Sequence, residues 1–148
     1  MTAVLVDTNL LVYAWDPGDA GKQEKAIATL DGLHSAGSGV LSVQSLAEFF
    51  AAVTRGRKPR LTPAQAAEQV EGLAVSWPVL EVTPLVVIEA TRAVESHRLA
   101  YWDAQLWATA RLNQVPVIFS EDFASGSVLK GVRFVNPFRS DFDLQAWI

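Results

Sequence analysis

Short apolar runs, each followed by a helical stretch, constrain this chain more than any other feature. Ala3 to Val6, Val40 to Val43, Val79 to Val82 and Val115 to Ser120 read as strands, with a last short one at Arg133 to Val135 ending at Asn136-Pro137. They are apolar almost throughout instead of alternating with polar residues, as expected of strands covered on both faces of a parallel sheet. Helical signals fill the intervals. Leu10, Leu11, Val12 and Ala14 follow the turn at Asp7-Thr8-Asn9, and Ser45 to Val53 follows the second strand. Thr62-Pro63-Ala64-Gln65 is a capping box with proline at the first helical position and opens a helix to about Leu73. Thr83-Pro84 opens another to about Ser96, and Asp103 to Leu112 reads as the last. This alternation specifies an α/β fold with a mostly parallel central sheet. Its ligand site is expected beyond the carboxyl ends of the strands, where the strand order reverses.

A chain of 148 residues, half of them apolar and 19% charged, is large enough for one real core and too short for two. A single domain spanning 1–148 is expected. With no cysteine, thiolate metal sites, cysteine nucleophiles and disulfides are all excluded, which fits a reducing cytoplasm. Met1 to Asp7 lacks the basic start of a signal peptide, and no apolar run reaches membrane-span length, so no membrane role is expected. The net charge of -4 argues against a chain that grips nucleic acid with its whole surface. Any hold on a phosphate backbone must come from local basic patches and bound cations.

Four acids interrupt this apolar pattern: Asp7, Glu48, Asp103 and Asp122. Asp7 follows the first strand, where a helix cap or an Asx-turn suits it as well as a metal does. An aspartyl nucleophile would want an acid two residues on, and that place holds Asn9. Around Glu48, Leu46, Phe49, Phe50 and Val53 form an apolar stripe, while Ala47, Ala51 and Ala52 make the opposite face small and apolar. A helix apolar on all sides is expected to be buried, which would leave Glu48 an interior acid in need of an arginine or a cation. Asp103 heads a helix with Leu106, Trp107 and Ala110 on its own face, although the helix dipole alone favours an acid there. Asp122 follows the fourth strand in Ser120-Glu121-Asp122-Phe123, and periodicity does not decide which of the two acids points inward. Acids converging within a few ångströms repel each other's ionised forms. An all-oxygen set of this kind suits the hard ions Mg2+ and Mn2+ and points to chemistry on phosphate esters.

These residues have a family look. Val4 to Tyr13, Ser45-Leu46-Ala47-Glu48-Phe49, Tyr101-Trp102-Asp103-Ala104, Ser120 to Phe123 and the stretch from Gly131 to Phe138 occur in one order over nearly the whole length. In these motifs the chain resembles the PIN-domain ribonucleases and, within them, the VapC-type toxins of toxin-antitoxin pairs. The resemblance implies a three-layer α/β/α PIN-like domain and a Mg2+- or Mn2+-dependent endoribonuclease. Asp7, Glu48, Asp103 and Asp122 would be its catalytic and metal-holding acids. It favours Asp122 over Glu121 as the fourth acid and makes Asn9 and Ser120 polar supports of the acids. It further implies a homodimer and a small VapB-type antitoxin that blocks the site. Phe123 departs from the family, where an aliphatic residue is frequent.

The two histidines, His34 and His97, lie in segments unrelated to the acids, so histidine-based cleavage through the RNA 2'-hydroxyl has no support. Metal-assisted hydrolysis, with the carboxylates holding cations instead of attacking, is the expected chemistry. Arg55, Arg57, Lys58 and Arg60 form a basic run after the Glu48 helix, suited to RNA phosphates, to an acidic antitoxin segment, or simply to water. Arg92 and Arg98 are further candidates. The same acids would also serve a phosphatase or a DNA nuclease. A non-catalytic binding module, in which they cap helices or hold structural Mg2+, is the third reading.

Overall fold

The computed structural model describes residues 2–148. Strands β1 (Val4–Val6), β2 (Gly39–Ser42), β3 (Val79–Leu80), β4 (Val117–Phe119), β5 (Val128–Leu129) and β6 (Val132–Val135) form one six-stranded sheet in the order β3-β2-β1-β4-β6-β5. Every pairing is parallel except β5 with β6, which close an antiparallel hairpin. Helices α1 (Thr8–Tyr13), α2 (Ala20–Ala36), α3 (Val43–Val53), α4 (Pro63–Ser76), α5 (Pro84–His97) and α6 (Tyr101–Leu112) join them.

In the two central strands, β1 and β4, every residue is buried whichever way it points, because both faces of the sheet are covered there. Val4, Val6, Val117 and Phe119 pack into a cluster with Leu10, Leu33, Phe49 and Trp77 from α1, α2, α3 and the end of α4. Leu5, Ile118 and Phe134 face the opposite cluster, built with Val86, Ala90, Leu106 and Trp107 from α5 and α6. Two packed layers over one sheet give the three-layer α/β/α arrangement that the uniformly apolar strands imply.

The structure differs from the sequence pattern in several elements. Helix α2 has no strong apolar stripe: it buries only Ala26, Thr29 and Leu33, so its periodicity is faint. Strand β5 is two residues long, at the end of a hairpin turned by Lys130 and Gly131, both at positive φ (48° and 84°). Val43 and Tyr101, placed outside helices by the sequence, begin α3 and α6. Strand β3 stops at Leu80, short of Val82, and β4 runs only from Val117 to Phe119. The caps agree: Thr62 and Gln65 form the reciprocal capping box, and the Thr83 side chain accepts from Val86 N–H.

The strand order reverses between β1 and β4, which lie side by side in the middle of the sheet. Asp7 follows β1 and Ser120 follows β4, so the open carboxyl edge at the reversal carries the acids. Among the described residues no helix is long and apolar enough to cross a membrane.

Candidate active site

Asp7 anchors the site. It is 8% exposed and caps α1, with its Oδ1 accepting Thr8 N–H at 2.7 Å. Its Oδ2 accepts the hydroxyl proton of the fully buried Ser120 at 2.6 Å. Burial is the main force on this carboxyl and lifts its pKa from 3.8 to about 7. The hydrogen bonds from Ser120 and Thr8 pull the other way, and the charges of Asp122 and Glu48 add to the rise. Asp103 sits in the first turn of α6, partly buried, and its pKa is likewise raised, first by burial and then by Asp122 and Glu48. Four acids from α3, α6 and the ends of β1 and β4 thus share one electrostatic neighbourhood.

Ser120 and Asn9 tie this neighbourhood together. Besides donating to Asp7, Ser120 Oγ accepts Asp122 N–H at 3.0 Å and Asn9 Nδ2 at 3.4 Å. Asn9 Nδ2 also donates to Asp122 Oδ2 at 3.2 Å. Glu121 turns away: its two oxygens accept from Tyr13 and Lys22, and these bonds hold both partners' pKa values above their usual range. Periodicity leaves Glu121 and Asp122 equivalent, and the structure separates them by their partners, Tyr13 and Lys22 for the one and Asn9 and Ser120 for the other.

The expected burial of Glu48 is corrected. Glu48, Ala47, Phe50 and Ala51 are all exposed, and only Gln44, Ser45, Phe49 and Val53 of α3 are fully buried. The small apolar face faces outward, beside Trp102 at 62% exposure and Val43 at 44%, so Glu48 reaches the acid set from solvent instead of from the interior. A buried glutamine pair, which sequence reasoning misses, holds its helix in place. Gln105 Nε2 donates to Gln44 Oε1 at 2.9 Å, and Gln44 Nε2 donates to the Trp102 carbonyl at 3.0 Å. These bonds fix α3, which carries Glu48, against α6, which carries Asp103. Gln105 stands among Ala104, Leu106 and Trp107, a polar residue in an apolar stretch that is the one sequence clue to this role.

The basic run divides. Arg55, Arg57 and Lys58 are exposed in the loop after α3, whereas Arg60 pairs with Asp16 at 3.0 Å and staples that loop to the one between α1 and α2. Arg92 and Arg98 are exposed on and just after α5, the latter at φ 55° as its C-cap.

The residues fit a hydrated hard cation. The donors are all oxygen, two acids are destabilised as anions, and Thr8 Oγ1 and Asn9 Oδ1 are buried without a partner. Among the described residues no three acidic or histidine side chains converge tightly enough to cage a bare ion. Mg2+ tolerates this, because it keeps several waters and takes only one or two protein carboxylates.

The sequence model of the PIN domain matches residues 4–124, a span that holds all four acids. The chain belongs to the PIN domain family. No curated protein matches it significantly. Among solved structures, this PIN domain is similar to VapC20 of Mycobacterium tuberculosis, described as a sarcin-ricin loop cleaving toxin. The two share 19% identity at TM-score 0.65, over 88% of this chain and 99% of that one. DNA-bound VapBC from Salmonella typhimurium is 17% identical at TM-score 0.65, over 93% and 99% of the two chains. FitAcB from Neisseria gonorrhoeae is 20% identical at TM-score 0.64, over 91% and 98%. At such identities the likeness is one of fold.

Proposed function

We propose that this PIN domain is a Mg2+- or Mn2+-dependent endoribonuclease that serves as the toxin of a toxin-antitoxin pair. The observation that carries the reading is Asp7: a buried carboxyl at the sheet reversal, pushed up to about 7 and flanked by the charges of Asp122 and Glu48. Such a group needs a proton or a cation, and near neutral pH a divalent cation supplies the larger compensation. RNA as the substrate rests on the likeness to VapC-type toxins, one of which cleaves the sarcin-ricin loop.

Asp7 and Asp103, the two acids whose burial disfavours their charge, would hold the cation, and the exposed Asp122 and Glu48 would add negative charge beside it. Ser120 fixes the Asp7 carboxylate and Asn9 orients Asp122. When bound, a divalent cation acidifies the attacking water and stabilises charge on the scissile phosphate. Arg55, Arg57 and Lys58 extend the positive field toward the RNA backbone. A VapB-type antitoxin is the proposed partner, since several structural neighbours are complexes with antitoxins. Self-association as a homodimer is assigned to the exposed apolar strip of Val43, Ala47, Ala51 and Trp102. A cytoplasmic site of action belongs to the same proposal.

The test incubates purified protein with folded RNA, duplex and single-stranded DNA and a phosphomonoester, with Mg2+ or Mn2+ and with chelator. Metal-dependent cleavage of RNA alone, lost in Asp7→Asn, is expected. Cleavage of DNA or the monoester at a comparable rate would replace the reading with a broader phosphoesterase. No turnover of any substrate would leave a binding module.

A further inference from the structure

The segment that presents Asp122 is held from both sides. On one side are Ser120 and Asn9. On the other, Glu121 Oε1 accepts the Tyr13 hydroxyl at 2.6 Å and Oε2 accepts the Lys22 ammonium at 2.8 Å. Lys22 closes the ring by donating to the Tyr13 oxygen at 3.2 Å. Its ammonium lies 4.8 Å from the Tyr13 ring centre and 5.5 Å from that of Phe138, and the two rings meet edge-on at 5.1 Å. One closed ring thus joins α1, α2 and the loop after β4, and it satisfies every oxygen of a fifth acid adjacent to the acid set.

We propose that Tyr13 and Lys22 form a clamp on Glu121 that positions Asp122 and keeps Glu121 out of the cation site. The proposal rests on Asp122 being one of the cation-holding acids. Glu121 and Asp122 are adjacent in the bend after β4, so tying Glu121 to α1 and α2 fixes the backbone from which Asp122 reaches Asn9 on the other side. Released, Glu121 would become a fifth unpaired acid on a loop free to rotate. Charge alone predicts the opposite effect on binding. Removing the Lys22 ammonium makes the surroundings more negative, which would tighten a cation, whereas loss of positioning loosens it.

Mn2+ binding, measured by calorimetry at constant pH, separates the two. The parent, Asp7→Asn, Lys22→Met, Tyr13→Phe and Lys22→Arg are compared, with a melting curve for each. Lys22→Met and Tyr13→Phe should bind Mn2+ roughly 10-fold more weakly, in the range seen when groups orienting a metal ligand are removed. Melting temperatures should barely move, because partly exposed ion pairs stabilise little. Lys22→Arg should restore binding. Unchanged or tighter binding in Lys22→Met, with a parent that binds and an Asp7→Asn variant that does not, overturns the clamp and spares the metal reading. A parent that binds no Mn2+ overturns both. Weaker binding that merely follows a large drop in melting temperature assigns Lys22 to folding and overturns the clamp.

Discussion

Asp7→Asn in the metal-free protein tests the site through stability instead of turnover. In the folded chain burial raises the Asp7 carboxyl to about 7, while the unfolded chain leaves it near 3.8. Between these values the folded state keeps a proton that the unfolded state has lost. Stability therefore falls as pH rises through this window and falls no further above it. The gap from 3.8 to about 7 corresponds to about 4 kcal/mol over the whole window. About 2 kcal/mol of it lies between pH 5.5 and 7, a large share of the roughly 5 to 15 kcal/mol that hold a domain together.

Asparagine is the neutral near-isostere of the protonated acid and does not titrate. Asp103, also raised, shifts parent and variant alike and cancels in the comparison. Urea denaturation in chelator at pH 5.5, 6.5, 7.5 and 8.5, at fixed ionic strength, should therefore show the variant gaining about 2 kcal/mol on the parent before levelling off above neutrality. Saturating Mn2+ should flatten the parent's curve and leave the variant's unchanged. Parallel curves in chelator would falsify the account of Asp7 as a destabilised buried acid, and with it the main support for a cation site.

Three further outcomes are expected. Glu48→Gln, at an exposed position, should change stability by less than about 0.5 kcal/mol while RNA cleavage collapses; a loss of several kcal/mol would mean that Glu48 has a buried partner after all. Ser120→Ala strips Asp7, Asn9 and Asp122 of a shared partner inside a fully buried position and should cost about 1 to 3 kcal/mol at pH 8 in chelator, measured by urea unfolding. Arg57→Glu with Lys58→Glu should weaken RNA binding and lower the magnitude of its salt slope by about 0.7 for each phosphate no longer neutralised; an unchanged slope returns both residues to solvent, and failure to bind the antitoxin alone assigns them to the partner.

Much of the fold was legible because its cause is local. A strand buried on both faces must be apolar at every position, and Val4-Leu5-Val6 and Val117-Ile118-Phe119 are. The caps at Thr62 and Thr83 are likewise decided by neighbours three residues away. Helix α2 was not legible, because the surface it covers asks for small side chains. Gly32 lies against Leu144, and Gly39, just past its end, lies against Leu33 and Trp77 so closely that a methyl group would collide with the indole. A helix that packs through Ala26, Thr29 and glycine leaves little hydrophobic signal to count.

The candidate site divides along the same line. Asp7, Glu48, Asp103 and Asp122 were legible as interruptions of apolar segments, but what surrounds each one depends on partners far away in the chain. Glu48 shows the consequence. An apolar helix face implies that something covers it, yet Val43, Ala47 and Ala51 are left open by the rest of this chain, and the cover we propose is a second molecule. Glu121 shows the converse. Beside Asp122 it is chemically equivalent, and only Tyr13 and Lys22, drawn in from α1 and α2, make one acid an anchor and leave the other facing the site. Residue type nominates the acids; the long-range contacts that sequence periodicity does not record assign their parts.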